Sequence, residues 1–173
     1  MGRFLTLLPA AGFLVAGMAF PARAAETGAA NEIDACLASY DAEAMQEKAD
    51  GAPLKGATGY CTDKFFETCA EAHGWTQAAM NDCQGEATDY WKAQVGRRME
   101  KVRALGSPEI DQWLEKSEAS WDAYRVDRCD RFDMAEGTMY ALIKEGCETE
   151  MQLERAQDLA DFLGSEPLIM KPE

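Results

Sequence analysis

Histidine is almost absent from this chain: His73 is the only one in 173 residues. Ser-His-Asp and Cys-His catalysis would both have to run through that one imidazole, and Cys69-x-x-x-His73 is the nearest thing to half a metal site. No Cys-x-x-Cys-His is present, which excludes covalent haem. No Gly-x-Gly-x-x-Gly or phosphate loop is present either, which excludes nucleotide chemistry of the familiar kinds. No stretch alternates β-branched with polar residues, so a sheet is not expected. Basic residues are scarce, 17 Lys+Arg against 31 Asp+Glu, a net charge of −14. Such a field repels nucleic acid and anionic membranes and speeds encounter with cationic partners, although an acidic surface also serves plain solubility. Carboxylates are the only abundant catalytic material, and among 31 of them chance pairs of the kind a glycan hydrolase needs are unavoidable. The run Glu145-Gly146-Cys147-Glu148-Thr149-Glu150 reads as a solvated helix face. No catalytic residue, metal or cofactor is therefore assigned.

The chain starts with the parts of a secretory signal peptide. Arg3 gives a positive start, residues 4–20 are uncharged and apolar, and Ala22-Arg23-Ala24 is a small-x-small cleavage site, placing the cut after Ala24. The apolar stretch is shorter than the roughly 20 residues of a spanning helix and is broken by Pro9, Gly12 and Gly17. No later segment is apolar enough to span, so no membrane anchor is expected in the mature form. Taking Arg3 and Arg23 from the 17 basic residues leaves 15 against 31 acidic ones, a net charge of −16 after cleavage. In an oxidising compartment the even set Cys36, Cys61, Cys69, Cys83, Cys129 and Cys147 reads as three disulfides. Six thiols allow 15 pairings, among which sequence cannot choose. Neighbours in order are the expected set, closing loops of about 15 to 26 residues.

Helical periodicity organises the rest. Residues 26–31 read as a frayed leader, Ile33, Cys36, Leu37 and Tyr40 begin a helix continuing through residues 42–49, and residues 51–59 form a glycine-rich loop. A short helix fits residues 60–72, ended by Gly74. Thr76 can cap a long helix to about Leu105 with a stripe of Met80, Cys83, Ala87, Trp91, Val95, Met99 and Val102, despite internal Gly85 and Gly96. Gly106 closes it, Ser107 caps the next, Pro108 suits its first position, and Glu109 and Asp111 favour its positive end. That helix runs to about Phe132 with Ile110, Trp113, Leu114, Ser117, Trp121, Tyr124 and the stem of Arg128 on one face. Residues 134–138 form a loop, and helical segments at 139–146 and 148–163 are ended by Gly164 and Pro167. The expected architecture is a small, disulfide-stapled all-α domain with two long antiparallel helices joined at Gly106-Ser107-Pro108, plus shorter helices. Its parts are a signal peptide (1–24), a Cys-containing helical extension (25–66), a helical domain (67–164) and a tail (165–173).

From Cys69 onward the motifs stand in a particular order: Thr76, Met80 and Cys83; Trp91 and Val95; Trp121, Tyr124, Arg125 and Cys129; Gly137 and Thr138; then Cys147, Met151, Arg155 and Leu159. In that order and spacing the segment resembles the bacterial lysozyme-inhibitor LprI-like family. Departures from the family's pattern fall at Lys92, Gly96, Met99, Glu118, Val126 and Gln152. Read physically, Trp121 and Tyr124 are expected in the core, and Arg125 and Arg155 in internal bonds that hold helices together.

The resemblance implies an exported or periplasmic binding protein that blocks lysozyme, a commonly basic partner. A loop clamped by Cys129 and Cys147 would be the contact element, with Asp133, Glu136 and Thr138 its candidate residues. The alternative is an accessory module of the cell envelope that binds another envelope protein or a small ligand and has no lysozyme activity. The oligomeric state is not legible.

Overall fold

A computed structural model describes residues 28–40, 56–134 and 136–169, with side chains to residue 164. The signal segment, the helical continuation over 42–49, the start of the 51–59 loop and residues 170–173 lie outside the described residues. Among the described residues there are five α-helices and one 3-10 turn, and no strand. They are α1 (Gly28–Ser39), α2 (Ala57–Ala72), α3 (Gln77–Arg103), α4 (Pro108–Asp130), the 3-10 turn Arg131–Met134, and α5 (Thr138–Ile169). The chain is a small all-α domain with three disulfides, Cys36–Cys61, Cys69–Cys83 and Cys129–Cys147, the neighbour order.

The helix boundaries follow from local chemistry. After α2 the chain takes two left-handed residues, Gly74 at φ +78° and Trp75 at φ +55°, and the Trp75 N–H closes onto Ala70 O at 2.9 Å. The next residue, Thr76, accepts from Ala79 N and caps α3. Gly106, at φ +72°, turns the chain again, Ser107 accepts from Ile110 N, and Pro108 opens α4.

Three expectations are corrected. The leader over 26–31 is not frayed throughout, because α1 starts at Gly28 and its Ala29 is fully buried. The loop before α2 is shorter than read, since the helix begins at Ala57. The last helical segments are one continuous helix that passes Gly146, Gly164 and Pro167. A glycine ends a helix by adopting positive φ, and among the described glycines only Gly74, Gly106 and Gly137 do so. Pro167 falls in the last turn of α5, where it removes a single N–H from the ladder.

Packing centres on α3. Its Ala87, Trp91, Val95 and Val102 meet Ile33 of α1, Cys61 and Phe65 of α2, Ile110 and Leu114 of α4, and Ala156 and Leu159 of α5 in one core. The closest helix pair is α3 with α5, not α3 with α4. Along α4 and α5 the contacts Trp113–Phe162, Glu118–Arg155, Arg125–Glu148 and Cys129–Cys147 descend in one as they rise in the other, so the two are antiparallel. Gln84 and Thr88 of α3 reach Thr149, near the same end of α5 as Cys147. Thus α4 runs back against both helices, and α3 and α5 lie side by side in one direction. A second, smaller core surrounds the Cys129–Cys147 bridge, with Met151 buried and Trp121 and Phe132 packed against it.

Candidate functional site

The site expected from sequence lies at the end where α4 gives way to the 3-10 turn and the chain returns as α5. Cys129 closes α4, is fully buried, and is bonded to Cys147 within α5. Between them the chain forms a tip: the 3-10 turn, Gly137 at φ +119°, and the first two turns of α5, whose Tyr140 N–H bonds Gly137 O at 3.1 Å. Lys144 reaches back across the tip to Asp130 at 2.8 Å and also pairs with Asp133. Those two carboxylates, Asp130 first, push the Lys144 pKa up. The tip is therefore tied covalently at its base and ionically across its middle.

Arg125 anchors the same end. Its Nη1 donates to both Glu148 oxygens at 2.7 and 2.6 Å, while Nε and Nη2 donate to Asp122 at 3.2 and 2.7 Å. Burial works against its charge, but the Asp122 and Glu148 carboxylates outweigh it and raise its pKa. The guanidinium also lies 5.7 Å from the Trp121 ring centroid. The run 145–150 is consequently not a solvated face as a whole. Glu148 is buried because Arg125 meets it, and Thr149 is buried because Gln84 and Thr88 hydrogen-bond its hydroxyl, each at 2.6 Å. Further along α5, the buried Arg155 donates to Glu118 and to Ser117 of α4.

The remaining candidates fall in different places. Trp91 is fully buried, Met80 is half-buried and Thr76 sits at its cap. Trp121 is half-buried against the second core. Tyr124 is not a core residue: 55 % of it is exposed, beside Arg128. The α4–α5 contact is narrow and largely polar, so a residue three positions from Trp121 already lies outside it. Asp133, Glu136 and Thr138 are all exposed on the tip, with Asp133 engaged by Lys144. Sequence did not single out four apolar tip residues, Met134, Met139, Tyr140 and Ile143: it placed Met134 in the 134–138 loop and the other three in an ordinary helix over 139–146. The available signal was that Met139 and Ile143, spaced i and i+4, lie on a turn preceding the Cys147 and Met151 stripe.

Beneath the tip is an open cleft of about 550 Å3. It is bounded by Thr58 and Thr62 of α2, Gln84 of α3, Arg131 and Phe132, and Leu153 and Gln157 of α5. Cys69 is bonded to Cys83, so Cys69-x-x-x-His73 offers no thiolate to a metal. Among the described residues no group of three or more potential metal ligands occurs.

These features define a small, disulfide-bonded helical domain with a braced tip. The chain belongs to the family described as lysozyme inhibitor LprI, whose model matches residues 69–159, from the end of α2 through most of α5. That match takes in the Cys69–Cys83 and Cys129–Cys147 bridges and the whole tip, while α1 and the Cys36–Cys61 bridge precede it. No curated protein and no solved structure matches the chain.

Opening the tip's base gives a direct check on how it is held. The double substitution Cys129→Ser, Cys147→Ser should cost up to about 3 kcal/mol by loop-closure entropy. Limited proteolysis should then cut within residues 131–146 while the α3–α5 body stays protected. An unchanged cleavage pattern would show that Lys144 and the second core suffice.

Proposed function

We propose that this is an exported binding protein of the lysozyme-inhibitor type, acting on lysozyme outside the cytoplasm and having no catalytic activity of its own. Membership of the lysozyme-inhibitor family carries the reading. Three further features support it: the signal-like start, a net charge of −14 that would steer the chain to a basic partner, and a clamped tip exposing Asp133, Glu136 and Thr138. No described helix is long and apolar enough to cross a membrane. In this reading residues 25–66 are an extension bolted to the inhibitor domain by α1 packing.

The test is a cell-wall lysis assay in which purified, oxidised protein is titrated against c-type and other lysozymes. Inhibition is expected, and it should weaken markedly from low to high ionic strength, because steering between exposed charges is screened over about 10 Å at 0.1 M salt. Absence of inhibition at large molar excess rejects the proposal. The cleft favours a second reading, an envelope accessory module binding a small ligand. That module would bind its ligand with little salt dependence and leave lysozyme active.

A further inference from the structure

The tip exposes more apolar surface than its position in a water-soluble helix end calls for. Met134 is 84 % exposed, Met139 65 %, and Tyr140 and Ile143 40 % each. Met139 and Ile143 stand one above the other on the first turns of α5, Tyr140 lies against Gly137, and Met134 ends the 3-10 turn at the same end of the molecule. Around them stand exposed carboxylates: Asp130 and Asp133, both tied to Lys144, and Glu136. These side chains form an apolar cap with a collar of three carboxylates, two of them answered by Lys144 and with the exposed Arg131 in the same turn, at the end closed by the Cys129–Cys147 bridge.

From this we infer that Met134, Met139, Tyr140 and Ile143 form the anchor of the interface, and that the occupant is a basic protein offering a concave groove with an apolar floor and a cationic rim. The inference rests on the lysozyme reading and specifies which side chains make the contact. Charge decides among possible occupants. A second copy would bring two acidic collars together on chains of net charge −14, and an anionic bilayer would meet the same repulsion. A cationic rim pairs with the collar while the apolar cap is desolvated at the centre, the arrangement in which a few residues carry most of an interface's affinity. Unbranched thioethers pack against an irregular floor, and the pre-shaped loop loses little freedom on docking.

The test compares the oxidised wild type with two multiple variants. The cap variant carries Met134→Ser, Met139→Ser and Ile143→Ser; the collar variant carries Asp133→Asn and Glu136→Gln. Val126→Ser, an exposed apolar position on α4, serves as control. All substituted side chains are exposed, and in the collar variant Lys144 keeps its pairing with Asp130, so unchanged circular dichroism and melting are expected. With a c-type lysozyme as probe, the cap variant should lose affinity by about 30-fold or more, mostly through faster dissociation, and keep its salt dependence. The collar variant should instead associate more slowly and show a flatter salt dependence, and the control should bind as wild type.

A cap variant that binds within about twofold of a binding wild type overturns the anchor and leaves the lysozyme reading standing. A wild type without affinity for any lysozyme overturns both. A wild-type dimer that the cap variant abolishes, or wild-type binding to phosphatidylcholine vesicles that it abolishes, gives the cap to another occupant and overturns the inference.

Discussion

Trp91→Ala is expected to remove about 3–5 kcal/mol of stability, the cost of emptying a large aromatic site in a core. In a chain of this size that corresponds to a fall in melting temperature of roughly 10 °C. The ring is fully buried in α3 and meets Tyr90 edge-on with 4.9 Å between centroids. Its Nε1 donates to the Thr62 hydroxyl of α2 at 2.9 Å, and that hydroxyl donates in turn to Thr58 O at 2.7 Å. One side chain thus joins α2 to the helix around which everything else packs. Trp91→Phe separates the two contributions: most of the area stays buried, while Thr62 loses a donor, for an expected cost of about 1–2 kcal/mol. Urea unfolding of the oxidised protein followed by circular dichroism reads both. A loss below about 1 kcal/mol for Trp91→Ala would place the ring outside the core.

How this core is assembled was only partly legible in the sequence. Signals confined to a few consecutive residues were readable: Thr76 as a cap, the Gly106-Ser107-Pro108 turn, and the Trp91 stripe. Each depends on local backbone chemistry or on one helix's own periodicity. Which helices pack was not readable, because α4 follows α3 directly and yet α5 takes α3's main face. The buried cluster of Gln84, Thr88 and Thr149 was invisible for the same reason, since polar residues at helical spacing read as solvent-facing until a partner helix brings their counterparts. Glycines misled at Gly146 and Gly164, where helical φ is as accessible as the left-handed region and no local feature selects between them. On the candidate site, residue type marked Cys129 and Cys147 as bridged without choosing their partners, and the clamp matched the neighbour-order expectation, whereas the internal pairing of Arg125 and Arg155 followed from residue type. The exposure of Met134, Met139, Tyr140 and Ile143 did not, because apolar periodicity identifies a face without saying whether anything covers it.

The way α4 is held makes Arg155 the second position of large expected effect. Among the residues of α4 only Ile110, Leu114 and Cys129 are buried, so between Leu114 and the disulfide the helix is held chiefly by polar bonds, with the half-buried Trp121 beside them. Arg155, 5 % exposed, supplies the central ones through Nε to Glu118 at 2.8 Å and Nη2 to Ser117 at 3.0 Å. Arg155→Met keeps much of the volume but leaves Glu118, its side chain 22 % exposed, without its cation. The expected cost is about 3 kcal/mol, near the lower end for breaking a buried pair because Glu118 retains some access to water. Arg155→Lys should recover little of this, since an ammonium cannot present the two-pronged donor set that engages Glu118 and Ser117 together. Glu118→Gln in the Arg155→Met background should regain about 1–2 kcal/mol by removing the stranded charge, giving a coupling energy readable from a double-mutant cycle. Additive losses in that cycle would mean that Arg155 contributes through packing alone. The disulfide still pins the far end of α4 in these variants, so lysozyme inhibition measured well below the melting temperature should fall far less than stability does. Parallel loss of both would show that the tip takes its orientation from the whole length of α4 rather than from its clamped base.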